Sequence, residues 1–283
     1  MLLTRRVIAA LSASIAVFPG VSLAVTLATG TSTTEYAITI TGFNADSRGC
    51  SRAGDLIRGI HGPFTEGSGT ASGSAVIPTP TCTGTDDAWQ IIMPQWSAEG
   101  AAGLEFPLDP LSTDRGSIVA FLSAGFLLRG TVNEPQLVTI TVEGIHSASG
   151  ETEEFAFNSD DRYAVFFSAV DSQAFLGIAS EDPSVPSLQE FLWNFQPRCE
   201  EVTQAGRVDE CSYAVDASLD QTIEFQLHPG HEYSLFLQLN EALGVIVQAG
   251  HPIPEPASAI LLLIGLFGFA GMRVGLSRER RAN

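Results

Sequence analysis

Two apolar runs, Thr222-Ile-Glu-Phe-Gln-Leu227 and Glu232-Tyr-Ser-Leu-Phe-Leu-Gln-Leu239, flank His228-Pro-Gly-His231 and constrain the fold more than any other stretch. Alternating apolar residues broken by a Pro-Gly turn read as two β-strands joined by a hairpin. The same signature recurs along the chain. Tyr36–Phe43 is β-branched and nearly alternating, whereas 44–73 is rich in Gly, Ser and Asp and reads mostly as loop. Asp87–Met93 is a strand candidate halted by Pro94, and Ser117–Leu128 with Gln136–Ile145 forms a second expected hairpin across Gly130 and Asn133-Glu-Pro135. Glu154–Phe157, Tyr163–Ser168, Ala174–Ile178, Gln189–Phe195 and Leu243–Gln248 are further short candidates. Sustained helical periodicity is scarce, and no internal repeat of fixed period suggests a propeller or solenoid. The expected fold class is all-β: an antiparallel β-sandwich resembling a jelly roll.

Neither end of the chain fits such a sandwich. Arg5 and Arg6 precede a mostly apolar run, Val7–Phe18, which ends at Pro19-Gly20 and then Ser22-Leu23-Ala24. Charge, apolar segment and small residues in that order form a secretory signal peptide over residues 1–24, with cleavage expected after Ala24. The apolar run is shorter than the roughly 20 residues a spanning helix needs. No cysteine lies near the cut, so lipid attachment there is not expected.

At the other end, Ala257–Met272 carries no charge. As a helix it would extend roughly 24 Å, slightly short of a ~30 Å hydrocarbon layer, and could span only with local thinning or flanking help. Arg273, Arg278, Arg280 and Arg281 follow at once. The positive-inside bias keeps them in the cytoplasm while everything before Pro254 is exported. Pro254-Glu255-Pro256, an apolar helix punctuated by Gly265, Gly268 and Gly271, and an arginine cluster together resemble the PEP-CTERM sorting signal of Gram-negative bacteria, here over residues 251–283. The resemblance implies that a membrane transpeptidase of the exosortase type recognises Pro254, Glu255 and Pro256. It also implies that the helix sits transiently in the inner membrane, is then removed, and the body is delivered to the envelope or the extracellular polysaccharide. It implies nothing about what residues 25–250 do.

That body is strongly acidic. Residues 25–253 hold eight arginines, no lysine and thirty acidic side chains. Nucleic acid and anionic lipid headgroups would repel it, so nucleic-acid binding is excluded as its work. The charge reads as solubility outside the cell, with divalent-cation or matrix contacts as the alternative.

Four cysteines, Cys50, Cys82, Cys199 and Cys211, are an even number in an exported chain and point to disulfides. Three pairings are open, and closeness in sequence favours Cys50–Cys82 and Cys199–Cys211. Zinc would call for Cys-x-x-Cys spacing and nearby histidines, which are missing, so no metal and no cofactor are expected.

Catalytic constellations are thin. The chain has no Gly-x-Ser-x-Gly elbow, no His-Glu-x-x-His, no phosphate-binding loop and no dinucleotide fingerprint. Of the five histidines, His61, His146, His228, His231 and His251, only His228 and His231 share a turn, where a solvated role is commoner than a metal. Adjacent acids at Asp86-Asp87, Glu153-Glu154 and Asp160-Asp161 would point to opposite faces of a strand, whereas a glycosidase pair must face itself across a cleft. Asn158, Asp160 and Asp161 form an oxygen-rich turn that could hold calcium, although the spaced Asp-x-Asp-x-Asp pattern with its glycine is absent.

Two surface features remain. Phe191, Trp193 and Phe195 alternate, so in a strand all three fall on one face, expected to be core rather than a platform for sugar rings. Thr-x-Thr pairs at Thr39/Thr41, Thr83/Thr85 and Thr139/Thr141 would suit ice only if a short repeat stacked them in register, and none is visible. The sequence therefore describes an exported, disulfide-stapled sandwich of the envelope or biofilm matrix that is not an enzyme and acts by binding or as structure. Its rivals are an extracellular polysaccharide hydrolase and a calcium- or carbohydrate-binding adhesion module.

Overall fold

The Pro229-Gly230 turn does not close a hairpin, because the strands on its two sides belong to different sheets. The computed structural model describes residues 22–44, 51–52, 56–85, 87–106, 108, 113–156, 163–203 and 207–250. Within them the strands are β1 (Leu23–Thr41), β2 (Ser51–Arg52), β3 (Ile57–Glu66), β4 (Gly69–Val76), β5 (Thr81–Gly84), β6 (Ala88–Phe106), β7 (Asp114–Val132) and β8 (Gln136–Thr152). The chain continues with β9 (Phe155–Ala156), β10 (Tyr163–Ser180), β11 (Leu188–Phe195), β12 (Arg198–Thr203), β13 (Arg207–Val208), β14 (Cys211–Leu227) and β15 (His231–Gly250). One sheet, A, has the order β14-β8-β1-β6-β4, with β5 also on β6; the other, B, has the order β11-β10-β15-β7-β2, with β12 on β10 and β3 on β7. Strands β9 and β13 pair separately. The fold is the expected all-β, antiparallel sandwich, with its core between the two sheets.

Both expected hairpins are instead crossovers. The turn at 228–230 carries the chain from β14 in sheet A to β15 in sheet B, and the one at 133–135 carries it from β7 in sheet B to β8 in sheet A. A tight turn reverses the chain, but each strand needs only to bury one face, and two strands bury their faces as well opposite each other as side by side. Gly230 adopts a positive φ of 83°, its N–H bonds the Val132 carbonyl at 2.7 Å, and the His228 N–H bonds the Tyr233 hydroxyl at 2.9 Å. The first bond docks the turn on the end of β7, and the second ties it to β15. Successive long strands from β6 to β10 alternate between the sheets, the alternation characteristic of a jelly roll.

The strands are also longer than the local patterns suggest. Region 44–73, read as mostly loop, contains β3 and the start of β4, whose exposed edge positions lack the apolar alternation that signals a strand. Pro94 does not halt its strand. The register of β1 against β6 shifts between Thr34↔Trp96 and Tyr36↔Met93, which places Pro94 in a bulge where its missing N–H interrupts no regular ladder. The runs at 232–239 and 243–248 are one strand, β15, the middle of sheet B.

A row of glycines sets the distance between the layers. Gly150, Gly30, Gly100 and Gly73 lie side by side on β8, β1, β6 and β4. Opposite them, Ser168, Val245 and Ile118 lie side by side on β10, β15 and β7. A Cβ on Gly30 would sit 2.8 Å from Ser168 Oγ and 2.9 Å from Leu243 Cδ1, and one on Gly100 would sit 2.7 Å from Ile118 Cγ2. Side chains of sheet B thus fill space that any larger residue in sheet A would occupy. Four residues along each strand from this row, the same stacking brings polar side chains of the two sheets together.

Candidate functional site

The row after the glycines pairs His146 with Thr34 in sheet A, and Ser172 with Glu241 in sheet B. All four are buried. Trp193 Nε1 donates to Ser172 Oγ at 3.0 Å, Ser172 Oγ lies 3.1 Å from Glu241 Oε1, Thr34 Oγ1 lies 3.2 Å from Glu241 Oε2, and Thr34 Oγ1 lies 2.8 Å from His146 Nδ1. The result is one hydrogen-bonded chain running from β11 through both sheets to β8. Tyr36 packs its ring edge-on to Trp193 with centroids 4.5 Å apart, and Phe195 stacks on His146 at 4.9 Å and 1°.

Burial dominates the electrostatics here. It pushes the Glu241 carboxyl well above the usual carboxylate range, against the hydroxyl bonds from Ser172 and Thr34, and the nearby Asp171 pushes the same way. Burial lowers His146, against the pull of Asp216, and raises the Tyr36 phenol. Thr34 has a single hydroxyl proton and gives it to Glu241 Oε2, so His146 Nδ1 supplies the hydrogen of its bond to Thr34 Oγ1. His146 Nε2 and the Tyr36 hydroxyl are buried without a hydrogen-bond partner.

Asp171 and Glu241 are the two carboxyls closest to a catalytic pair, since burial raises both and Glu241 feels Asp171. Their geometry is wrong for a shared cleft. Ser172 pairs with Glu241 and points inward with it, so Asp171, one residue away, points out of the opposite face of sheet B.

The outer face of sheet A is of another character. Strands β1, β4, β5, β6, β8 and β14 carry eight carboxylates and no lysine or arginine. Between the acids lie hydroxyls. Thr31 and Ser149 bond at 2.9 Å, Ser147 donates to Asp216 at 2.6 Å, and Ser74 donates to Glu99 at 3.0 Å. The Thr-x-Thr pairs of β1 and β8 stack in register, Thr39 beside Thr141 and Thr41 beside Thr139, and Thr222 of β14 continues the first row. Gln90 separates Thr39 from Thr83. This register comes from strands about a hundred residues apart in sequence, so a search for a short repeat could not find it.

The other candidates are distributed as follows. Cys199 and Cys211 form a disulfide with Cα atoms 5.7 Å apart, which ties β12 of sheet B to β14 of sheet A. Cys82 is also disulfide-bonded, and its expected partner Cys50 lies outside the described residues. The calcium candidates Asn158, Asp160 and Asp161 lie outside them too, as do the signal peptide up to 21, the sorting residues Pro254, Glu255 and Pro256, and Arg273, Arg278, Arg280 and Arg281. His231 Nδ1 sits 3.6 Å from Asp182 Oδ2 at the crossover turn, and among the described residues no three His, Cys, Asp or Glu side chains converge as a metal site.

The aromatic triplet is split. A bulge opposite Ala174 and Phe175 turns Trp193 into the core and leaves Phe191 outside, 45% exposed and packed on Phe175 at 5.4 Å. Trp96 is buried as well.

Sequence reasoning missed Thr34, Ser172 and Glu241, and one signal for Glu241 was present. It shares parity with Tyr233, Leu235, Leu237, Leu239 and Leu243, all buried, so strict alternation along β15 places a carboxyl in the core.

No curated protein matches the chain. Residues 252–281 match the family model of the PEP-CTERM protein-sorting motif, so the chain ends in a signal for export and exosortase sorting to the cell envelope.

Proposed function

We propose that the body is a non-catalytic component of the envelope or extracellular matrix that meets hydrated polysaccharide with the outer face of sheet A. The carrying observation is the composition of that face. Its hydroxyls and carboxylates lie on adjacent, regularly registered strands with no basic residue, and β1, β8 and β14 pair over most of their length without a register shift. Such a surface offers many hydrogen bonds and cation-mediated contacts to a hydrated polymer while repelling lipid headgroups. The sorting signal agrees with this destination. A hydrolase is the less favoured reading, because Asp171 and Glu241, the two carboxyls that burial raises, point to opposite faces of sheet B.

A glycan array probed with the body from Val25 to Gly250, with and without calcium, tests this reading. Binding to extracellular polysaccharides that weakens on substituting Thr39, Thr141 and Thr222 together is the expected result. Silence on the array in both conditions, or release of reducing sugar from any of the polymers, counts against it.

The threonine block of β1, β8 and β14 favours ice contact as a second reading. Glu224 interrupts its second row beside Thr139 and Thr41, Glu143 and Asp220 form the row next to it, and a measurable thermal hysteresis would be needed to prefer ice.

A further inference from the structure

Sheet B carries apolar side chains on its outer face as well, on either side of a polar band. Its outward residues include Val119, Phe121, Leu127, Phe175, Phe236 and Ala242, all only partly covered, with the more exposed Phe191 beside them. We propose that this outer face is a self-association surface on which a second copy of the chain packs through a twofold contact.

Size supports it. The patch runs across β11, β10, β15, β7 and β3 and from Ala169 to Ala179 along β10. With strands ~4.8 Å apart and a rise of ~3.4 Å per residue, that is roughly 24 Å by 37 Å, or about 900 Å². A stable interface of standard size buries about 800 Å² on each partner. The polar band crossing the patch is already satisfied. Ser123 donates to Asn240 at 2.7 Å, and Gln238 Nε2 donates to Ser123 at 2.8 Å and to Asn240 at 3.2 Å, so covering the band strands little hydrogen-bonding capacity.

Charge selects the occupant. Two copies of so acidic a body repel each other through sheet A, whose strands carry only negative charge. On the outward positions of β7, β10 and β15 across the patch, only Asp171 and Arg129 are charged. Sheet B is therefore the face through which like copies can approach, and a lipid surface gains no basic partner from the rest of the body. In a twofold contact the face meets itself and residues near the axis meet their own copies. Strand β15 is the middle of the sheet, and its Asn240, opposite Gln173, lies near the centre of the stretch paired with Ala169–Ala179.

The test is a full-chain Asn240→Cys variant expressed in an exporting host and run on a non-reducing gel. A band of twice the monomer mass that reduction removes is expected, while Thr141→Cys on the opposite face stays monomeric. Adding Phe236→Glu to Asn240→Cys should cut the cross-link about tenfold with an unchanged far-ultraviolet spectrum, the loss expected when a charge is buried in an apolar contact. Sedimentation velocity on the exported wild-type protein should give a dimer. A monomer in sedimentation, or equal cross-linking at 141 and 240, overturns the proposal. So does a monomer that floats with phosphatidylcholine vesicles, which would assign the face to lipid.

Discussion

Thr34 Oγ1 of one sheet lies 3.2 Å from Glu241 Oε2 of the other, a hydrogen bond that crosses the sandwich through its core. Both groups are almost fully buried, and the bond belongs to a chain that ends on Trp193 at one side and His146 at the other. It joins the two sheets near the row where the glycines of sheet A meet the side chains of sheet B.

Glu241 makes stability depend on pH. Burial raises its folded-state pKa above the unfolded value, so the folded chain holds a proton that the unfolded chain releases. The contribution is fully present below the ordinary glutamate range, near pH 4, and is lost as pH rises from there through the raised folded pKa. Urea midpoints should therefore fall from pH 5 to pH 9 in the wild type. Glu241→Gln, which keeps the shape and cannot ionise, should flatten that slope and be the more stable protein at pH 9. Parallel slopes for the two proteins would show that the carboxyl does not titrate in this way.

Gly30 should not tolerate a side chain. Its added Cβ would meet Ser168, Leu243 and Val245 within 3.1 Å, so Gly30→Ala is expected to cost about 1–3 kcal/mol through overpacking. Gly177→Ala is the control, since its Cβ would meet only the Phe175 ring at 3.7 Å. Urea unfolding of the two variants should separate them clearly, and equal midpoints would contradict the close approach of the sheets.

The Cys199–Cys211 bond joins strands of opposite sheets across a separation of 12 residues. Replacing both with serine should lower stability by about 2–3 kcal/mol, the loop-closure expectation for a loop of that size. Thermal unfolding with Cys82 left intact would read the loss, and an unchanged midpoint would mean that the sheets need no staple there.

How much of this was legible in sequence depends on the range of the interaction. The strand character of Ser117–Leu128 and Tyr163–Ser168 was visible because alternation is local, and the 199–211 disulfide because its partners are near in the chain. The crossover at Pro229-Gly230 was not, since a turn specifies a reversal and leaves open whether the next strand pairs or faces. Strand β6 looked finished at Pro94 because the bulge that accommodates it is defined by the register of β1. The stacking of Thr39 on Thr141, the glycine row and the Thr34–Glu241 bond all arise between strands distant in sequence, and none leaves a local trace apart from the parity of Glu241.

The central claim is that this sandwich is cargo for a sorting system that acts on residues 252–281. Intact-mass spectrometry of the protein recovered from the envelope of an exosortase-containing host tests it most directly. A mature chain that begins at Val25 and ends near Pro254–Pro256, without the apolar segment and its arginines, is the predicted result. A chain that still reaches Asn283 would contradict the account and make the apolar segment a permanent anchor.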